Sequence, residues 1–349
     1  MRLDFLQNYP LNSKSNQILM DYSHPNISPI IPQENTNLKQ KAKELAQIFG
    51  GNSVNSFGFG FCDWFTLFSQ ISKSHQIAYA ISNHQQANQA SKHLQKKPKK
   101  LIINPKSGVL EIKSINEAIH QNCNCFIIPF INQDILTIND ISTISKILQE
   151  KLKDFILIID ISYAQSSMIP IPKILDKNTI FLLNSESLGI LRGNGVSITK
   201  DFFDPELLCD TLGNIKLFDA LLHAIKNPTI NITEDTKTIF YEKLKTILKE
   251  NLSLFAPLEY TLPNALPLRF HSIKARVFLQ NLLIEDIHAI NGQECLFGFS
   301  KPSFVLQEMG YSESQARELV SISYAEIQNI DKISEILSRV YFQIRSIGI

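Results

Sequence analysis

The sequence lacks a long apolar run and an excess of charge of either sign. Its longest apolar stretches, at 126–131 and 155–161, contain proline or aspartate and are shorter than the roughly 18 residues of a membrane span. The N-terminal residues show no apolar segment with a small-residue cleavage site, so we expect a soluble, cytoplasmic protein. The 34 basic and 33 acidic residues nearly cancel, which excludes a general field for nucleic acid or an anionic membrane. A small molecule or another protein is the expected partner.

Cysteine is also scarce, and its odd number does not indicate a disulfide scaffold. The five residues are Cys62, Cys123, Cys125, Cys209 and Cys295. Cys123 and Cys125 are separated by one residue, and no second pair of cysteines or histidines follows at metal-ligand spacing. We therefore predict free thiols, with this pair buried at the start of a strand.

From residue 72 to residue 200, apolar β-rich runs alternate with amphipathic polar stretches, a pattern typical of crossover units in a parallel sheet. This predicts a doubly wound α/β domain with a mostly parallel sheet. After residue 201 long amphipathic helices follow one another, one of them reaching residue 255, and the tail reads as α+β. The tail prediction includes strands at 264–272 and 287–290 and a closing helix that contains 317–323. The predicted organisation is an N-terminal segment, 1–15, that packs on the small domain, a large domain, 16–228, and a small α+β domain, 229–349.

The tail carries the most specific motif. "LPNALPLRF" is followed by "EDIHAINGQECLFGFSKPSFVLQEMGYSESQARELVSIS". In order and spacing these residues resemble the C-terminal domain of cysteine desulfurases, which are class V aminotransferase-like enzymes of fold type I that depend on pyridoxal phosphate (PLP). The resemblance places Cys295 at the position of the loop cysteine that carries a persulfide in that family. It also implies a homodimer that works with sulfur-transfer or iron–sulfur scaffold proteins.

Upstream landmarks of the same family follow in order across nearly the whole chain. By resemblance, His84 matches the histidine that stacks on the pyridine ring, and Asp160 matches the carboxylate that keeps the pyridine nitrogen protonated. Gln133 replaces an asparagine beside the cofactor. Gln165 resembles a glutamine that follows the aspartate, and Thr211 a threonine that reaches the partner subunit's phosphate. If PLP binds, these residues and Ser187 are its expected site.

Three functions of the family's site lack their usual residue. In "FLLNSESLGILRGNGVSI", alignment on Gly193 and Gly195 puts Ser187 where the family has its Schiff-base lysine, and a serine hydroxyl cannot form an imine. Gly60 stands at the phosphate-binding threonine, in a turn that is apolar where a dianion needs donors. Ser321 stands where an arginine would clamp the substrate carboxylate.

The same residues also have simpler interpretations. Cys295 has no neighbouring cation to activate it, and a persulfide carrier and an inert loop thiol stay open. His84 is more simply the residue that starts a helix, and Asp160 either faces a ligand crevice or caps the next helix. We expect the rings of Phe57, Phe59 and Phe61 to fill the vacated cofactor space, next to the lone Trp64.

Three hypotheses follow. The first is a catalytically degenerate desulfurase-like protein that acts as a binding or regulatory partner in sulfur or iron–sulfur metabolism. The second is an active desulfurase, or a related PLP-dependent lyase or transferase, that holds PLP in an atypical site and uses Cys295. The third is a sulfur acceptor in which Cys295 receives a persulfide from a partner enzyme.

Overall fold

The computed structural model describes residues 1–21, 32–200, 215–229, 232, 235–293 and 301–347. The described helices are α1 (Ser13–Leu19), α2 (Pro32–Ile48), α3 (Phe61–Ile71), α4 (Gln85–Lys92), α5 (Ile112–His120), α6 (Ile141–Lys151), α7 (Ser162–Ser166), α8 (Ile215–Lys226), α9 (Lys237–Leu248), α10 (Ala275–Ile284), α11 (Phe304–Glu308), α12 (Glu313–Ala316) and α13 (Ile330–Ile347). The strands are β1 (Ser53–Ser56), β2 (Ile77–Ala80), β3 (Lys99–Leu101), β4 (Cys125–Pro129), β5 (Ile156–Asp160), β6 (Thr179–Asn184), β7 (Gly195–Thr199), β8 (Leu252–Leu254), β9 (Ala265–Phe270) and β10 (Leu319–Ser323).

A seven-stranded sheet with the order β1-β7-β6-β5-β4-β2-β3 forms the centre of the molecule. Along the sheet, neighbouring strands pair in parallel in the run β6-β5-β4-β2-β3. Strand β7 runs antiparallel to both β6 and β1. All residues of β4, β5 and β6 are buried, because helices cover both faces of a crossover sheet. The predicted α/β architecture with a mostly parallel sheet is confirmed.

The pleat of β5 shows how the sheet separates two cores. Leu157 and Ile159 pack into one apolar cluster, while Ile156 and Ile158 pack into a second cluster on the opposite face, as the two-residue period of a strand requires. The second cluster also contains Trp64, which is fully buried. Burial of such side chains stabilises the fold by about 2 kcal/mol each.

A smaller antiparallel sheet, with the order β10-β9-β8, lies C-terminal to the first. It shares a separate apolar core with α9, α10 and α13. The N-terminal stretch joins this sheet, since Phe5 N donates to Ser323 O at 3.0 Å and Leu3 N donates to His288 O at 2.7 Å. Leu3 is fully buried in the same core. The domain boundaries at residues 15 and 228 stay predictions.

The tail differs from the sequence prediction in three places. Residues 319–323 form the strand β10, so the helix predicted through 317–323 is wrong; every residue of β10 is buried because β9 pairs along its length. The helix predicted to run to residue 255 ends at Leu248, and β8 follows it. The strand predicted at 287–290 is reduced to single bridges at His288 and Ile290.

Candidate functional site

The carboxyl ends of the parallel strands meet at one edge of the central sheet, where α/β folds place their ligand sites. Asp160 ends β5 and Asn184 ends β6, while His84 and Gln133 follow β2 and β4. All four side chains line one small cavity, together with Ser187. The structure therefore brings together four of the residues that the sequence predicted for the site, His84, Gln133, Asp160 and Ser187.

Asp160 is the buried carboxylate of this cavity. Its Oδ2 accepts a hydrogen bond from Gln133 Nε2 at 2.7 Å, and its Oδ1 accepts from the backbone N–H of Ser162 at 2.9 Å and from the Ser162 hydroxyl. Burial raises the pKa of Asp160, while the bonds from Ser162 and Gln133 lower it in part. The carboxylate faces the cavity and accepts from the first residue of α7, but the N-cap of that helix is Ile161, which makes no side-chain capping bond; Asp160 is therefore not the cap of α7.

Ser162 and Ser187 fix the backbone at the end of β6. The Ser162 hydroxyl donates to Asp160 and accepts from Asn184 N at 2.8 Å, which joins the ends of β5 and β6. Ser187 lies in a short 3-10 turn directly after β6, and its hydroxyl donates to Asn184 O at 2.7 Å. Ser187 is therefore a buried turn serine whose O–H is already used within its own turn.

His84 is the N-cap of α4. Its Nδ1 accepts from Gln86 N at 3.3 Å, so the neutral ring carries its proton on Nε2. Burial, with the nearby Arg192 cation as a second cause, lowers the pKa of His84 to about 4. The Phe59 ring packs edge-on against the imidazole with centroids 5.8 Å apart. His84 is thus a neutral capping histidine at neutral pH.

An ion pair lies beside the cavity. Arg192 Nε donates to both carboxylate oxygens of Glu186 at 3.0 Å, and its Nη2 donates to Oε1 at 2.5 Å. The Arg192 side chain is 56% exposed and that of Glu186 is 29% exposed, so the pair adds about 1 kcal/mol or less to stability. Next to it, burial raises the pKa of Tyr163, and the charge of Glu186 raises it further.

Residues distant in sequence complete the cavity wall. Leu6 and Gln7 come from the N-terminal stretch, and Gln293 precedes the segment 294–300. Gln7 Nε2 donates to Ser321 Oγ at 3.3 Å, and Gln7 Oε1 accepts from Ser323 Oγ at 3.0 Å. Ser321, which stands where the family has a substrate-binding arginine, is therefore fully buried and contacts Gln7 in the cavity wall. Only long-range pairing brings Leu6, Gln7 and Gln293 here, and no local sequence pattern indicated them.

The cavity itself has a volume of about 30 Å³. That is room for about two water molecules, whereas sites for small organic ligands span roughly 300–1,000 Å³. The polar groups that surround it are mostly bonded to one another. The space that the described residues enclose therefore holds solvent and is too small for an organic cofactor.

The aromatic turn before α3 packs behind this wall. Phe57, Phe59 and Trp64 are buried and meet edge to face, with centroid distances of 5.1–5.8 Å. Phe61, in contrast, is 37% exposed and stacks on Phe65, so the expectation that it fills the cofactor space is wrong. Phe61 is the first residue of α3, where its side chain points away from the core.

Other predicted site residues lie elsewhere. Gln165 is in α7 but does not line the cavity, and Thr211 and Cys295 fall outside the described residues. Cys123 and Cys125 are buried at the start of β4, and burial raises the pKa of both thiols.

Within the described ranges, no three His, Cys, Asp or Glu side chains are grouped to hold a metal ion. None of the described helices is long and apolar enough to cross a membrane.

Three observations decide whether PLP fits these residues. Among the described residues that line the cavity there is no lysine, and the cavity is far smaller than the coenzyme. At the N-terminus of α3, Asp63 Oδ2 accepts from Gly60 N at 3.0 Å. A phosphate placed about 4 Å from that carboxylate would meet a repulsion of about 4 kcal/mol per unit charge at an effective dielectric of about 20. The described residues do not fit the coenzyme.

The sheet order, the small C-terminal sheet and the strand-end cavity define a chain with the fold type I transferase architecture. The chain is similar to the solved structure of a NifS-like protein, with a TM-score of 0.75, 15% identity and 99% of each chain covered. A NifS-like protein from Rickettsia africae ESF-5 gives a TM-score of 0.75 at 16% identity, with 99% of each chain covered. The cysteine desulfurase of Thermococcus onnurineus NA1 gives 0.72 at 11% identity, over 98% of this chain and 95% of that one.

At these identities the similarity establishes the fold, which is shared with cysteine desulfurases. No protein-family model matches the sequence, and no curated protein sequence matches it.

Proposed function

We propose that this protein is a cysteine-desulfurase-like protein that no longer performs PLP chemistry and acts as a binding or regulatory partner in sulfur or iron–sulfur metabolism. The observation that carries the proposal is the buried Ser187 at the turn after β6, beside a cavity of about 30 Å³. An alcohol cannot form the imine that a lysine amine forms with the aldehyde of PLP.

The hydrogen bonds of the cavity support the same proposal. Asp160 accepts from Gln133 and Ser162, so its oxygens are used by the chain itself. His84 caps α4 and contacts Phe59. These residues serve local structure, as expected of a fold that has kept its framework and lost its coenzyme. The proposal includes a homodimer in the cytoplasm and contact with sulfur-transfer or iron–sulfur scaffold proteins, which the resemblance to desulfurases implies.

The direct test is to incubate the purified protein with PLP, reduce it with borohydride and map any adduct by mass spectrometry. We expect no visible absorbance band beyond that of free PLP and no adduct above the level that the Ser187→Ala variant shows on surface lysines. A stoichiometric adduct on one lysine would overturn the proposal, provided that it does not form when the protein is denatured before PLP is added.

A second assay covers the enzymatic alternative. We expect no sulfide release from cysteine, with or without PLP. Release that disappears in Cys295→Ala would replace the proposal with an active desulfurase. Transfer of a persulfide from a donor enzyme to Cys295, without any PLP adduct, would instead specify a sulfur acceptor as the binding role.

A further inference from the structure

The turn that precedes α3 has the shape of an anion cradle. The first backbone N–H groups of an 11-residue helix have no intrahelical acceptor and carry partial positive charge, so they attract anions. Glycines at 58 and 60 leave the backbone of this turn uncovered, and Phe59 between them has a φ of 60°. The turn lies against Gly193, in the connection between Ser187 and β7.

The carboxylate of Asp63 lies in this cradle and binds its first backbone N–H. Its Oδ2 accepts from Gly60 N at 3.0 Å. A Cβ added to Gly58 would lie 3.0 Å from the same oxygen and 3.3 Å from Gly193 O, and a Cβ added to Gly60 would lie 3.1 Å from the oxygen. A side chain at either position would therefore crowd the Asp63 carboxylate.

We propose that Asp63 is a built-in anion that occupies this cradle permanently and excludes phosphate and phosphate-bearing ligands from it. The turn then folds without any ligand, because the chain supplies the negative charge that the helix end favours. This inference deepens the proposed function. It rests on that function in one respect, namely that this turn belongs to a site that has lost its coenzyme.

The test removes the internal anion and offers an external one. Asp63→Ala loses the carboxylate, and we expect inorganic phosphate to raise its melting temperature above that in chloride of equal ionic strength. Affinity for phosphate should rise by about tenfold or more over the unaltered protein, for which we expect no phosphate-specific shift. Asp140→Ala is the matched control, because Asp140 caps α6 through Thr143 N at 3.0 Å, and α6 packs into the apolar cluster on the opposite face of the central sheet from α3.

Two results would overturn the proposal: phosphate stabilising the unaltered protein as strongly as Asp63→Ala, or stabilising Asp140→Ala equally. If Asp63→Ala does not fold, Asp63→Ser removes the charge and shortens the side chain while keeping it polar, and it must show the same gain for phosphate. Because this readout uses phosphate alone, its failure leaves the imine test untouched. A PLP adduct on a lysine would contradict the proposed function without deciding the role of Asp63.

Discussion

The carboxylate of Asp134 binds both sides of the segment 294–302: Gln293 N donates to Oδ1 at 3.0 Å, and the Ser303 hydroxyl donates to Oδ2. Asp134 is fully buried. Gly292 allows this approach, because a Cβ there would lie 3.2 Å from the carboxylate. Gln293 in turn accepts from Gln85 N at 2.7 Å, which links the carboxylate to the start of α4.

We predict that Asp134→Asn lowers the free energy of unfolding by about 3 kcal/mol, because the amide keeps one acceptor oxygen and its NH2 group cannot accept the second of the two bonds, from Gln293 N or from the Ser303 hydroxyl. Urea denaturation measures the loss. Amide hydrogen exchange in peptides that cover 288–293 and 301–306 should speed up selectively. Asp140→Asn, which alters an exposed helix cap, is the control and should cost about 1 kcal/mol or less. Equal losses in the two variants would contradict a special role for Asp134.

His84 gives the fold a specific sensitivity to acid. Its pKa is about 4 in the folded protein and about 6.5 in an unfolded chain, so protons bind the unfolded state first as the pH falls. The stability that depends on neutral His84 is complete above about pH 6.5 and is lost between there and about pH 4. The His84→Asn variant keeps a capping side chain. Between about pH 7 and about pH 5 we expect its free energy of unfolding to fall by about 2 kcal/mol less than that of the unaltered protein.

Denaturant titrations at a series of pH values measure this difference. His120→Asn is the control, because His120 is exposed at the end of α5. It should keep the acid sensitivity of the unaltered protein. If His84→Asn and the unaltered protein lose stability in parallel, His84 does not hold the depressed pKa.

Restoring the amine alone should not restore a coenzyme site. Ser187→Lys places a long cationic side chain at a position that is 4% exposed, beside a cavity of about 30 Å³. We expect it to cost about 3 kcal/mol of stability and to give no borohydride-fixed PLP adduct at residue 187. Ser187→Ala, which removes only the bond to Asn184 O, should cost about 1 kcal/mol. An adduct on Lys at 187 would show that the cavity opens more readily than its packing indicates.

Ser162 is the polar link between the two central strand ends. Ser162→Ala removes the acceptor for Asn184 N and one donor to Asp160, so we expect a loss of about 2 kcal/mol. Since Ser162 lowers the pKa of Asp160, the variant raises that pKa further, and its deficit should be larger at neutral pH than in acid. Ser166→Ala is the control, because the bond that its hydroxyl makes within the described part of the chain is to Tyr163 O in its own helix. A deficit no larger than that of Ser166→Ala would contradict the assignment.

Local patterns predicted the central sheet because its strands are continuous apolar runs between polar stretches. β5 and β6 fall within one residue of their predicted limits. β1, with the sequence SVNS, has no such run and exists because β7 pairs with it. The sequence predicts a helix at β10, because nothing local shows that β10 pairs with β9, which lies about fifty residues earlier in the chain.

The sequence predicted the site residues that lie at or just after the end of a strand. It did not predict those that distant parts of the chain contribute. Asp160, His84 and Ser187 follow apolar strands, and their position at the sheet edge follows from strand direction. The contacts of Asp63 and Asp134 were not predictable, because each carboxylate accepts from a backbone N–H group that only the folded chain brings to it. The role of Asp63 could have been suspected from a carboxylate three residues after a glycine.

The pairing of residues 3–5 with 288 and 323 also sets the order in which the molecule can be completed. Leu6 and Gln7 reach the cavity only when Ser323 holds them, through Leu6 N to Ser323 Oγ at 2.9 Å. A growing chain therefore carries an unfinished cavity wall and an exposed Leu3 until more than 300 further residues have been made. Newly made protein should need protection at its N-terminal stretch for most of its synthesis, long after the central strands can pair.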